Sequence, residues 1–98
     1  MERIPTPKMS EFLEEYMTPL HLSAYKLAHA IHVPVSRIQD ILHDRRKITV
    51  DTSARLGKYF GVSEMFFIRI QNDIDLRNLK LELQSELDKI VPIAPANL

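Results

Sequence analysis

An all-α fold, five helices with a C-terminal helical extension, is what three features of this 98-residue chain predict. Apolar residues recur at steps of three and four along most of its length. No β-rich run with period two appears, and only two glycines and six prolines punctuate the sequence. Residues 1–9, with Pro5 and Pro7, read as an extended arm. Ser10 is placed to cap a first helix whose apolar face is Phe12, Leu13, Tyr16, Met17 and Leu20, with Pro19 ending it. Ser23 caps a second, striped by Leu27, Ala28 and Ile31, and a third runs from Val35 to His43 with Ile38, Ile41 and Leu42 inward. Thr49 caps a fourth that ends at Gly61, a residue suited to the left-handed conformation just past a helix. Ser63 then starts a fifth, carrying Phe66, Phe67, Ile70 and Ile74.

The division expected is an arm over 1–9, a helical domain over 10–74, and a C-terminal helix with a fraying tail over 75–98. In that last segment Leu76, Leu79, Leu83, Leu87 and Ile90 follow at steps of three, four, four and three, a narrow heptad-like stripe. Such a stripe either folds back on its own core or forms a seam with a second chain, since a bundle this small covers another amphipathic helix with difficulty. The tail, with Pro92 and Pro95, is expected to fray.

Composition excludes several functions. Cysteine is absent, which removes a disulfide scaffold, a cysteine zinc site and a cysteine nucleophile together. No apolar stretch nears the ~20 residues of a membrane span, and the start, MERIPTPKMSEF, lacks the apolar centre of a signal peptide. A cytoplasmic location is expected. Glu14 and Glu15 are neighbours on a helix and so diverge by about 100°, which does not make a catalytic dyad. There is no glycine-rich phosphate loop and no Ser/His/Asp arrangement, and a chain this size has little volume for a substrate cavity. An enzyme is not expected, nor is any cofactor.

Charge is balanced overall, 13 basic against 13 acidic, but unevenly distributed. Residues 26–58 hold seven basic side chains and three acidic ones, while both flanking segments carry an acidic excess. A basic centre between acidic ends suits contact with a polyanion through one face, although chance clustering on a solvated surface produces the same pattern. The motif within that centre is more telling. Helix two ends at Ala30-Ile31-His32, a short turn follows at Val33-Pro34, and helix three begins at once. A link this short makes two amphipathic helices cross steeply, with Val33 as the apolar plug beneath the turn. This is the punctuation of a helix-turn-helix. With Ile38 inward, Ser36 and Asp40 lie nearly opposite it, Arg37 and Gln39 flank them, and His43 shares the outer side.

That polar face is of the kind that enters a major groove, where Ser, Arg and Gln read base edges and Asp accepts from cytosine. Ser36, Arg37, Gln39 and Asp40 are therefore the base-reading candidates. Arg45, Arg46 and Lys47 follow directly and are placed for phosphate; Ser23 and Lys26 at the start of helix two offer another anchor.

The wider string is more specific than the motif. Glu14 through Ser23 (EEYMTPLHLS), Leu27-Ala28, Arg37-Ile38, Arg45-Arg46-Lys47-Ile48-Thr49, Asp51-Thr52, Arg55-Leu56, Tyr59-Phe60-Gly61, Phe66-Phe67, Gln71 and Asp75-Leu76-Arg77 together resemble the HigA-type antitoxins. These are also called VapI-like or plasmid-maintenance antidote proteins, within the lambda-repressor-like (XRE) helix-turn-helix class, and the likeness covers about residues 6–80. The resemblance implies a dimer that represses its own toxin–antitoxin operon and binds a small RNA-cleaving toxin of the RelE/HigB type. By position it implies the same base-reading set and a backbone set of Ser23, Lys26, His43, Arg45, Arg46, Lys47 and Thr49. Departures stand beside it. Ala24 replaces a glutamine that often follows the cap of helix two, Thr6-Pro7-Lys8 stands near where His-Pro-Gly is common, and Phe66-Phe67 replaces a Phe-Trp pair. Asp40 beside Asp44 puts acid on the reading face, where it repels phosphate unless it meets a cytosine amine.

The remaining features read first as structure. His29 and His32 sit three apart, but no Asp, Glu or Cys joins them at zinc-like spacing. Tyr25 beside Lys26 and the Phe66-Phe67 pair read as packing residues before stacking or partner sites. Three functions remain open: antitoxin and autorepressor, a stand-alone regulator without a toxin, or an interaction module that has lost DNA binding. For a toxin, acidic Glu11, Glu14 and Glu15 are favoured over Glu82, Glu86 and Asp88, because RNA-cleaving toxins tend to be basic.

Overall fold

The computed structural model describes residues 6–94 and contains helices α1 (Met9–Met17), α2 (Ala24–Ile31), α3 (Val35–Leu42), α4 (Val50–Phe60) and α5 (Phe66–Leu87), with a 3-10 turn at Thr18–Leu20 between the first two. Among the described residues there is no strand. Pro5, Pro95 and the rest of residues 1–5 and 95–98 lie outside them.

Each helix ends for a local reason. The Ser23 hydroxyl accepts from the Lys26 N–H at 3.1 Å, and that of Thr49 accepts from the Thr52 N–H at 3.3 Å, so α2 and α4 are capped as their sequences predict. At the end of α2, His32 turns left-handed (φ 62°), and the Val33 N–H returns to the Ala28 carbonyl at 3.0 Å. Gly61 (φ 73°) does the same for α4, with the Val62 N–H bonded to the Gly57 carbonyl.

Three expected positions differ. α1 starts at Met9 with Lys8 in the cap position, because the buried Ser10 hydroxyl donates instead to Asp44 Oδ2 at 3.1 Å. Leu20 is exposed, since α1 has already given way to the 3-10 turn and its apolar stripe no longer faces inward there. α5 starts at Phe66, not at Ser63, whose hydroxyl accepts from the Met65 N–H in the preceding turn.

The core draws Leu13 and Met17 from α1, Leu27, Ala28 and Ile31 from α2, Ile38 and Ile41 from α3, Leu56 from α4 and Phe67, Ile68 and Ile74 from α5. Val33 packs against it beneath the turn, as its apolar character predicts. An aromatic group closes one end: the Tyr16 ring lies 5.3 Å from Phe67 and 5.5 Å from Phe60. Phe66 and Phe67 are thus packing residues, with Phe67 fully buried.

Two polar devices hold α5 on this core. The fully buried Ser53 hydroxyl donates to the Glu64 carbonyl at 2.6 Å and accepts from the Ile68 N–H at 2.9 Å. A hydroxyl on α4 therefore satisfies one of the orphan N–H groups in the first turn of α5. A β-carbon on Gly57 would come within 2.5 Å of the Ser63 carbonyl oxygen, so glycine is what lets this loop approach α4 so closely.

Beyond Ile74, α5 continues unbroken to Leu87 and does not fold back. Leu76 and Leu79 are exposed and Leu83 and Leu87 half-buried, leaving the leucine stripe open along the projecting part of the helix. Of the two fates the sequence left for this segment, folding back onto the core is the one excluded. The described residues span 49 × 34 × 22 Å.

Candidate nucleic-acid interface

Helices α2 and α3, joined at the left-handed His32, form the motif predicted from the sequence, and α4 packs across α2. α3 keeps Ile38 and Ile41 inward, which turns Ser36 and Gln39 to solvent and leaves Arg37 and Asp40 half-exposed beside them. Ser23 and Lys26 are exposed at the start of α2. His43, also exposed, is bound through its Nδ1 to the Gln39 carbonyl at 2.7 Å.

After α3 the chain turns at Asp44 (φ 58°), where the Arg45 N–H bonds the Asp40 carbonyl at 2.8 Å. This turn places Arg45, Arg46 and Lys47 in solvent between α3 and α4. Two contacts brace it. The Ser10 bond to Asp44 ties it to α1, and the buried Gln71 of α5 accepts from the Ile48 N–H at 3.0 Å. Gln71 also donates to Asp75 Oδ1 at 3.0 Å, and Asp75 Oδ2 lies 3.3 Å from Lys47 Nζ. The basic loop is thereby referenced to α5, and an open cleft of about 560 Å³ separates it from that helix and from Pro7 and Lys8.

The basic side chains are less available than composition implies. Arg37 Nη1 donates to Asp51 Oδ2 at 2.8 Å, and Arg55 Nε donates to the same oxygen at 3.0 Å. Arg45 donates through Nε and Nη2 to Asp40 Oδ1 at 3.1 and 3.0 Å. Asp40 therefore stands on the outer face of α3 as a partner of Arg45 and not as an isolated negative charge. Arg46 and Lys26 are exposed and stand in none of these ion pairs. Thr49 is exposed, with its hydroxyl engaged in capping α4.

Elsewhere, Tyr25, expected from its position to be a packing residue, is instead exposed on the outside of α2, its ring centre 4.5 Å from that of His29 with the rings tilted by 44°. Glu11, Glu14 and Glu15 are exposed together beside Thr18 and Pro19. Glu82, Glu86 and Asp88 are exposed along the end of α5, with Glu86 paired to Lys89 at 3.1 Å. No helix among the described residues is long and apolar enough to cross a membrane.

Residues 13–67 match the helix-turn-helix (HTH_3) family, a stretch that runs from α1 into the start of α5. The chain belongs to the helix-turn-helix family. Within it, the chain is 41% identical over 81 residues to virulence-associated protein I of Dichelobacter nodosus, a match covering 83% of this chain and 74% of the relative. The helix-turn-helix fold also superimposes on the Pseudomonas aeruginosa antitoxin HigA, solved with the higBA promoter, at a TM-score of 0.82 and 26% identity, covering 92% of this chain and 100% of that one. A HigA-family addiction module antidote protein from Coxiella burnetii gives a TM-score of 0.82 at 28% identity, over 91% of this chain and 99% of that one. The resemblance to HigA- and VapI-type antidote proteins read in the sequence is borne out, and with it an all-α helix-turn-helix fold.

Proposed function

We propose that this helix-turn-helix protein is the antitoxin of a toxin–antitoxin module: a repressor that binds its own operator as a homodimer and also neutralises a small RNA-cleaving toxin. One observation carries the DNA-binding half of this reading. The outer face of α3 is polar and free of packing at Ser36 and Gln39, and the Asp44 turn sets Arg45, Arg46 and Lys47 directly beside it. In this reading Ser36, Arg37, Gln39 and Asp40 meet base edges in the major groove, while Ser23, Lys26, His43, Arg45, Arg46, Lys47 and Thr49 meet the backbone. The P. aeruginosa antitoxin HigA, solved with the higBA promoter, supports the DNA-binding half of this reading.

The second chain of the dimer is assigned to the leucine stripe of α5. Leu76 and Leu79, both about half exposed, together with Leu83 and Leu87 form an apolar row that an isolated helix leaves in water. A two-fold dimer then calls for operator half-sites about one helical turn apart, or a multiple of it.

The deciding experiment is titration of the purified chain against the DNA upstream of its own gene and against random DNA, over a series of salt concentrations. Binding should be ~10³-fold or more tighter to the upstream sequence, and log K should fall linearly with log salt by ~0.9 per phosphate neutralised. Binding no tighter than to random DNA turns the assignment to an interaction module, consistent with a basic segment that already carries its own carboxylates.

For the toxin, the exposed acidic edge of α1 is the proposed contact, because a toxin that grips RNA presents basic charge. Changing Glu11, Glu14 and Glu15 together to Lys is expected to weaken toxin binding at least tenfold, mostly through a slower association rate, and to leave the fold intact. Surface-resonance kinetics with the product of the adjacent gene measure this. Unchanged association would move the contact to Glu82, Glu86 and Asp88.

A further inference from the structure

Arg37 is held in a way that bears on how operator and random DNA are told apart. Its Nη1 shares Asp51 Oδ2 with Arg55 Nε, at 2.8 and 3.0 Å. Arg55 is fixed from behind, because its Nη1 donates to the Ile31 and His32 carbonyls at 3.0 and 3.2 Å, at the C-terminal end of α2. One carboxylate in the first turn of α4 thus joins α2, α3 and α4 through two arginines. The arrangement is asymmetric. Arg55 has three partners, two of them carbonyls at the end of α2, whereas Arg37 has one. When Arg37 departs, Asp51 keeps a counter-ion.

We propose that Asp51 is a specificity-determining positioning residue, which holds Arg37 off the phosphate backbone on random DNA and yields it only to a base edge in the operator. The inference rests on the proposed DNA-binding reading and adds to it a reason for discrimination. Asp51 is 56% exposed in its side chain and Arg37 26%, so this is a solvent-accessible pair. Breaking an accessible pair costs at most about fivefold in affinity. A single screened phosphate contact returns about as little, so on random DNA Arg37 has no net reason to move. A bidentate contact to a guanine returns roughly 5- to 150-fold, which exceeds the cost. Asp51 therefore subtracts from non-specific binding more than from specific binding.

Asp51→Asn is expected to release Arg37 on random DNA and so steepen the salt dependence of that binding by ~0.9 in log K against log salt. The ratio of operator to random affinity falls with it. Asp51→Glu, which keeps the carboxylate, restores wild-type behaviour. Adding Arg37→Ala to Asp51→Asn removes the steepening. A steepening that survives in the double variant would mean that Asp51 acts only as a negative charge near DNA, and an unchanged slope in Asp51→Asn would overturn the proposal outright.

A measurement on the unaltered protein guards against a folding defect in the variants. With 15N-labelled chain, the Arg37 guanidinium resonance should stay in place on random duplex and shift on operator. A shift already on random duplex overturns the proposal. Failure of the wild-type protein to prefer its operator would instead remove the proposed function itself, a result recognisable before any variant is made.

Discussion

Replacing Arg37 and Arg46 together by alanine is expected to lower operator affinity about a hundredfold, by loss of one base contact and one phosphate contact. The two residues are chosen because they represent different roles. Arg37 sits on the outward side of α3 beside Ser36, in an ion pair with Asp51 that the proposed base contact would replace. Arg46 is exposed in the turn after Asp44 and stands in none of the ion pairs that engage Arg45 and Lys47. Neither belongs to the core, so the melting temperature should move by no more than a few degrees. Toxin affinity should be unchanged, since the acidic edge of α1 carries neither arginine. On random DNA the salt slope should fall by ~0.9, the share of Arg46 alone. Fluorescence anisotropy on labelled duplexes, with circular dichroism on the same samples, measures all of this. Operator affinity equal to wild type would mean that α3 is not the reading helix.

How much of this interface was legible in the sequence depends on how far apart the interacting residues lie. The caps at Ser23 and Thr49 and the left-handed Gly61 were legible because each acts on its own helix end, within three or four residues. The turn at Val33 was legible for the same reason. Ser10 looked like a cap by the same rule and is not one, because Asp44, 34 residues away, takes its hydroxyl. Gln71 was visible only as part of a family pattern. Its work, bonding the Ile48 N–H across 23 residues, has no periodicity to announce it. Ser53, buried and bonded to both Glu64 and Ile68, is a further case of a polar residue whose role exists only in the folded chain.

The charges follow the same division. The Asp51–Arg55 pair has the i, i+4 spacing of a helix surface and was open to inspection. Arg37–Asp51 joins α3 to α4 and Lys47–Asp75 joins the loop after α3 to α5, and together they engage two of the segment's seven basic side chains. Asp40 illustrates the consequence. Read alone it repels phosphate; in the fold it directs Arg45. The leucine stripe was legible as a stripe, but its fate was not. Residues 66 to 87 hold no glycine or proline, and α5 runs unbroken for about 33 Å, of which only about 20 Å lies beyond Ile74.

Phe67→Ala is expected to be the most damaging single change to the fold, costing about 3–5 kcal/mol. The side chain has no exposed surface, and its ring packs against Tyr16, Phe60 and Phe66 at 5.3, 5.9 and 5.2 Å. It therefore joins α1, α4 and α5 at one point, next to the Ser53 bond that anchors the start of α5. Domains of this size are typically stable by only about 5–15 kcal/mol, so a loss on this scale leaves a substantial unfolded fraction in a chain at the low end of that range. Urea unfolding followed by circular dichroism should show the midpoint lowered by at least 1 M, for a slope of about 1–3 kcal/mol per molar. A cost below 1 kcal/mol would mean that α5 is held mainly by Gln71 and Ser53 and not by its aromatic contacts. Operator binding and toxin binding should fail together in this variant and in step with helicity, because α5 carries Gln71 and Asp75, which brace the Arg45–Ile48 turn. The Arg37/Arg46 variant is expected to lose only the first of these activities, with helicity intact. The contrast between the two separates a DNA-contact defect from a scaffold defect on physical grounds, without reference to any relative.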